Sequence, residues 1–232
     1  MRIKLSISYI VAFLLLTIIM LELHETVHIL VGRLICGCWG LRDFNVWTLC
    51  DECDKTHPNS WLATLAGPLF SFSVMWIGMF WLSSPNSNKK AIGFSLIFAN
   101  IPFGRISEVM KGAGDEMVVT RHLLKASFSS TQMILICSVL ILILGLPPII
   151  KAFRILTNKY SWLYILGFLT LPIAFILIYI LIGMNSLLKN GFLAKVGIMG
   201  TPLLITIHTI VIFAFLIVLH KKLFFLDRFN KS

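Results

Sequence analysis

The chain has 232 residues, of which 58% are hydrophobic and 13% charged, with a mean hydropathy of +0.91 and a formal net charge of +10. A water-soluble domain carries roughly a quarter charged residues, so this composition excludes a soluble globular protein. The basic residues are scattered through the loops rather than clustered, which argues against nucleic acid as a partner and leaves the lipid bilayer.

A bilayer core takes about 20 apolar residues per spanning helix. The first predicted span runs from Ser6 to Ile35. Its basic opening at Arg2 and Lys4 would suit a signal peptide. However, the apolar run is too long, lacks a small-x-small cleavage site and leads into Glu22 and His24, so it reads as a retained helix. A second span covers Trp61 to Leu82 and a third, short at about 13 residues, Ala91 to Phe103. Gln132 to Ile150, Trp162 to Gly183 and Pro202 to Leu219 follow. The expected fold is an all-α integral membrane protein with five to six transmembrane helices, multi-pass in the cell membrane.

Charge sets the expected orientation. Arg2, Lys4, Lys89, Lys90, Lys151, Arg154, Lys159, Lys221, Lys222, Arg228 and Lys231 would share one side. The loop holding Asp43, Asp51, Glu52 and Asp54 would lie on the other, with both termini in the cytoplasm; the bias is modest, since the segment after the third span also holds Arg105, Lys111, Arg121 and Lys125.

Inside the first apolar helix lies His24-Glu25-Thr26-Val27-His28. Residues four apart on a helix sit one above the other, so both imidazoles face one way and suit a single zinc ion. Glu25, about 100° round the helix, reaches a metal-activated water rather than the metal and is the expected general base. Ionisable groups in a spanning helix are costly and by default mark a functional site. A catalytic zinc needs a third protein ligand. With only ten Asp and Glu in the chain, Asp115 in Lys111-Gly-Ala-Gly-Asp-Glu116 is the choice, ahead of Glu116 and Glu108. Gly67 and Pro68, early in the second span, permit close helix packing and free the carbonyl near Thr64. Asn100-Ile-Pro102 interrupts the third, and broken backbone at membrane depth is tolerated where it lines a cavity.

Three segments in order thus resemble the site-2 protease family of intramembrane zinc metalloproteases. They are His24-Glu25-x-x-His28, Ala66-Gly67-Pro68, and Asn100-x-Pro102 followed by Asp115. The resemblance implies that His24, His28 and Asp115 bind zinc, that Glu25 is the catalytic base and that Asn100 holds the substrate backbone. The substrate would be a membrane protein or peptide cut in or near a transmembrane segment. Residues 1–125 would form a three-helix catalytic core, and 126–232 would add helices whose role has no readable signature. Two features depart from the family pattern. The gap from Asn100 to Asp115 is long and Glu116 follows the aspartate, where the family often has Leu-Asp-Gly. The family's catalytic helix also usually runs toward the cytoplasm, opposite to the direction the charges give here.

Cys36, Cys38, Cys50 and Cys53 fall in one short loop, as two disulfides, a small structural zinc site or free thiols. Cys137 reads as packing and His57-Pro58 as a turn. Phe44 to Leu49 has the character of a small β-hairpin after the first helix, whose edge could receive an unwound substrate. The alternative to an enzyme is a non-catalytic metal-binding membrane protein, either a partner-helix binder or a metal transporter.

Overall fold

The computed structural model describes residues 1–224, so Arg228 and Lys231 lie outside the described residues. The described chain is helical and forms no strand. Five helices are long and apolar enough to cross a membrane: Ile7–Cys36 (α1), Trp61–Trp81 (α3), Ser130–Ile155 (α7), Ser161–Lys189 and Leu203–Phe224. The fourth of these is an α-helix over Ser161–Phe175 (α8), a π-helical stretch over Ile176–Met184 and a closing turn over Asn185–Lys189 (α9). The fifth is α10, Leu203–Leu219, with a 3-10 turn over His220–Phe224. Cys53–Thr56 (α2) lies in the loop after α1. Ser87–Ala99 (α4), Pro102–Met110 (α5) and Asp115–Leu124 (α6) join α3 to α7.

The expected third span is not a full crossing. α4 has 13 residues, about 20 Å of helix, and stops at Asn100. Pro102 has no N–H to continue the ladder and bars Ile101 from the right-handed helical region. Ile101 turns instead through φ 52, ψ 53, and α5 starts anew at the proline. The apolar composition of Ala91 to Phe103 therefore reflects burial within protein: Phe94, Ile97, Phe98 and Ala99 are all buried.

α1 is the central helix, packed chiefly on α3 and α10. It is held at both ends. The Ser6 hydroxyl accepts the Tyr9 N–H at 3.1 Å, and Gly37, left-handed, donates its N–H to Arg33. α3 and α4 cross at Gly78 and Gly93, where a Cβ on either would come within 2.6 Å of the other's carbonyl oxygen. The outer faces of α7, the π-helical stretch and α10 expose Leu135, Ile143, Ile178, Ile210 and Val218, as lipid-facing helices do.

One end of the bundle is basic. The Met1 ammonium donates to the Ile155 carbonyl at 2.6 Å, and Ile3 exchanges backbone hydrogen bonds with the Asn158 amide. His220–Phe224 packs on α4 and α1. Arg2, Lys4, Lys89, Lys90, Lys151, Arg154, Lys159, Lys221 and Lys222 thus gather at that end. The described acidic residues lie elsewhere, in the second half of α1, in the loop and short helix after it, and in α5 and α6.

The loop between α1 and α3 corrects one expectation. Phe44 to Leu49 makes a single antiparallel bridge, Arg42 to Trp47, and not a two-stranded hairpin. Thr48 N–H donates to Leu41 O at 2.8 Å and Asp43 N–H to Val46 O at 2.7 Å, and the pairing ends there. Disulfides Cys36–Cys53 and Cys38–Cys50 divert the flanking chain. Phe44 is drawn down among Ile180, Leu188, Leu204 and Ile205. Arg42 reaches back to Glu22 of α1 at 2.6 Å, both side chains buried. Removing one partner of a buried pair leaves the other charged and unpaired, which costs about 3–5 kcal/mol. Arg42→Ala should therefore lower thermal stability in detergent strongly, and Arg42→Met with Glu22→Met should restore most of it. If the single variant melts with the wild type, the pair does not hold the loop.

Candidate metal centre

Two elements bring the ligands together. α1 supplies His24 and His28, both buried, and α6 supplies Asp115 at its first residue. The two Nε2 atoms lie 3.0 Å apart, and each is 3.1 Å from Asp115 Oδ2. Among the described residues this is the one His/Cys/Asp/Glu group whose ligand atoms lie close enough to share an ion. A tetrahedral zinc with bonds of about 2.0–2.1 Å spaces its ligand atoms about 3.3 Å apart, so opening the triangle by a few tenths of an ångström accommodates one.

The surroundings of each imidazole test the fit further. The His28 Nδ1–H donates to the Ala63 carbonyl at 2.7 Å, beside the carbonyl that Pro68 leaves free. That bond fixes the tautomer and leaves the Nε2 lone pair facing Asp115. Nδ1 of His24 lies 3.0 Å from the Ser71 hydroxyl, an equivalent partner. Were both Nδ1 atoms to carry the ring proton, two lone pairs and a carboxylate oxygen would converge on one point. The nitrogen and oxygen donors of such a set suit zinc. Asp115 heads α6, outside the spans. Burial opposes its charge, but its interactions with His24 and His28 outweigh that and hold its carboxyl below the usual carboxylate range.

Gly67 makes the centre sterically feasible. A Cβ there would lie 2.2 Å from His28 Nε2 and 2.7 Å from His24 Cε1. Trp47 of the loop stacks on the His28 ring, centroids 4.6 Å apart and planes 11° off parallel.

Glu25 is buried and its Oε2 has no hydrogen-bond partner. The contrast with Glu22, a turn earlier and clamped by Arg42, is informative. Glu22 is paired through Oε2 with its Oε1 unpartnered, whereas Glu25 has no paired basic side chain. Glu25 lines a cavity of about 190 Å³ together with His24, Asp115 and Asn100. Asn100 caps α4, donates its amide N–H to Leu96 O at 2.8 Å, and leaves a buried Oδ1 unpartnered. A second cavity, of about 710 Å³, meets Asp115 from the loop side between Trp47, Trp61 and His122.

The residues read from sequence thus converge. Glu108 and Glu116 do not join the cluster: Glu108 pairs with Lys111 at 3.1 Å, and Glu116 with Arg105 at 2.8 Å. Ser71, Trp47 and Arg105 also belong to the site and carry no local signal in the sequence. Ser71 follows His24 by 47 residues and Arg105 by 81, and no spacing rule links them. Compared with protein-family models, curated proteins and solved structures, the chain matches none.

Proposed function

We propose that the chain is an intramembrane zinc metalloprotease of the site-2 type, cutting a membrane-protein or peptide substrate in or near a transmembrane segment. The observation that carries the reading is the buried, unpartnered Glu25 beside the His24–His28–Asp115 triangle, both opening on one cavity. A pure metal-storage or packing site would have no use for that free carboxylate, which is costly to bury unpaired.

His24, His28 and Asp115 would hold the ion, with Ala63 O and Ser71 Oγ orienting the imidazoles. Zinc, when bound, acidifies a water and polarises a scissile carbonyl. Glu25 takes the proton of the attacking water and returns it to the leaving amine. The Asn100 side chain, already tied through its N–H, offers its free Oδ1 to a backbone N–H of an extended substrate.

The basic end of the bundle and the disulfides support one orientation. Disulfides persist in oxidising compartments, and basic loops stay in the cytoplasm. Both favour termini in the cytoplasm of a cell-membrane protein and a cysteine loop outside. The centre lies toward the loop side, because His24 and His28 are in the second half of α1.

Metal content of the purified protein tests the reading. The wild type should carry about one zinc per chain, and a His24→Ala/His28→Ala variant almost none. The cysteines, paired as disulfides, would not supply a substitute site. Wild-type protein purified from zinc-containing medium without stoichiometric metal would end the proposal.

A further inference from the structure

Resting on that reading of the centre, the structure assigns a further role to Arg105: it is a positioning residue that locks the His24 and Asp115 ligands to each other through Ser71 and Glu116. Its guanidinium spans the gap between three elements. Nη2 of Arg105 (α5) donates to Ser71 Oγ (α3) at 2.7 Å, and Nη1 donates to Glu116 Oε1 (α6) at 2.8 Å. Ser71 Oγ in turn lies 3.0 Å from His24 Nδ1 (α1). Glu116 is the residue after Asp115. One side chain therefore ties a residue next to the carboxylate ligand to the hydroxyl that orients an imidazole ligand.

Arg105 also sets the hydrogen-bond direction around His24. Its Nη2 lies 3.1 Å from His24 Nδ1 as well as 2.7 Å from Ser71 Oγ. An arginine can only donate. Ser71 Oγ, accepting from Arg105, still has a lone pair for the His24 Nδ1–H, and that tautomer leaves Nε2 free to ligate. The same Nη2 already lies within hydrogen-bonding distance of Nδ1, so the Ser71 hydroxyl and the guanidinium compete for that atom; a guanidinium donating to Nδ1 puts the proton on Nε2 and blocks it. Arg105 helps the centre only with Ser71 in place. Its positive charge beside a cation would by itself be unfavourable, and the Glu116 carboxylate at 2.8 Å offsets it. The guanidinium is also seated on the Phe72 ring, 5.7 Å from the centroid.

The test is zinc affinity of the full-length protein in detergent, by competition with a chromophoric chelator, with the metal-free melting temperature measured alongside. Partners that orient metal ligands are worth about 10–100-fold in affinity. Arg105→Gln and Ser71→Ala should each weaken zinc by that much, and Glu116→Gln should do so to a smaller degree. The Arg105→Gln/Ser71→Ala double variant should be no weaker than the worse single, because one chain of contacts is cut twice. The visible spectrum of the cobalt(II)-loaded protein should change in Arg105→Gln and stay unchanged in Lys111→Gln, whose pair with Glu108 is exposed. A lowered melting temperature with affinity within twofold of wild type would overturn the proposal and leave the metal centre intact. If Arg105→Gln does not fold, Ser71→Ala and Glu116→Gln decide on the same criterion. A wild type that binds neither zinc nor cobalt would overturn the metal centre as well.

Discussion

Glu25→Gln is expected to retain one zinc per chain and to lose cleavage by about 10²–10⁴-fold, the range that a positioned general base contributes. The substitution keeps the shape of the side chain and removes only its capacity to accept and return a proton. Glu25 is not one of the three converging ligand atoms, so metal content should not change. Its Oε2 holds no partner that the amide would lose, so folding should not suffer either. The separation of the two readouts makes the experiment decisive. His24→Ala removes a ligand and should lower both metal and activity, whereas Glu25→Gln should lower activity alone. A Glu25→Gln protein that still cuts its substrate would remove the general-base assignment. A Glu25→Gln protein that loses its zinc would make Glu25 a ligand, against the geometry of the triangle.

The ligands were readable in the sequence because helix geometry is local. Four residues apart on one helix leaves His24 and His28 little choice but to face the same way. Asp115 was reachable by scarcity, since so few acids lie outside the first loop and the glycines before it allow a sharp approach. The helix break at Asn100-Ile-Pro102 was equally legible, because proline chemistry acts within a residue or two. Whether α4 then crossed the membrane was not, since buried and lipid-facing apolar runs have the same composition. Phe94 and Phe98 pack on Phe168 of α8, a partner 70 or more residues away. The network of Ser71, Arg105 and Glu116 was hidden for a similar reason. Each residue is ordinary alone, and its meaning lies in distances between helices. Trp47 shows the same limit: β-branched and aromatic neighbours suggested a strand, but its ring is spent on His28 and its loop is bent by two disulfides.

Gly67→Ala is the smallest change expected to abolish metal binding. Within a helix, alanine is normally favoured over glycine by roughly 0.5–1 kcal/mol, so propensity alone predicts a slightly more stable α3. The added methyl decides otherwise, because it would lie 2.2 Å from His28 Nε2 and 2.5 Å from Cε1. Real carbon atoms do not approach so closely, and the imidazole has no free direction in which to yield. It is held from behind by the Ala63 carbonyl and covered on its face by Trp47. Either the ring leaves the ligand triangle or α1 and α3 move apart along their packed length. Both outcomes empty the centre, and the first does so with little loss of helix content. The expected result is therefore a folded, helical protein with no stoichiometric zinc and no activity, measured by metal analysis alongside circular dichroism. Gly93→Ala supplies the contrast, since it too closes a tight helix crossing but lies against Gly78, away from the ligands. It should cost stability through misfitted packing, and protein that folds should keep its zinc. If Gly67→Ala binds zinc as the wild type does, then α1 and α3 are not as close at the centre as this structure has them. The orientation of His28 by Ala63 would fall with it.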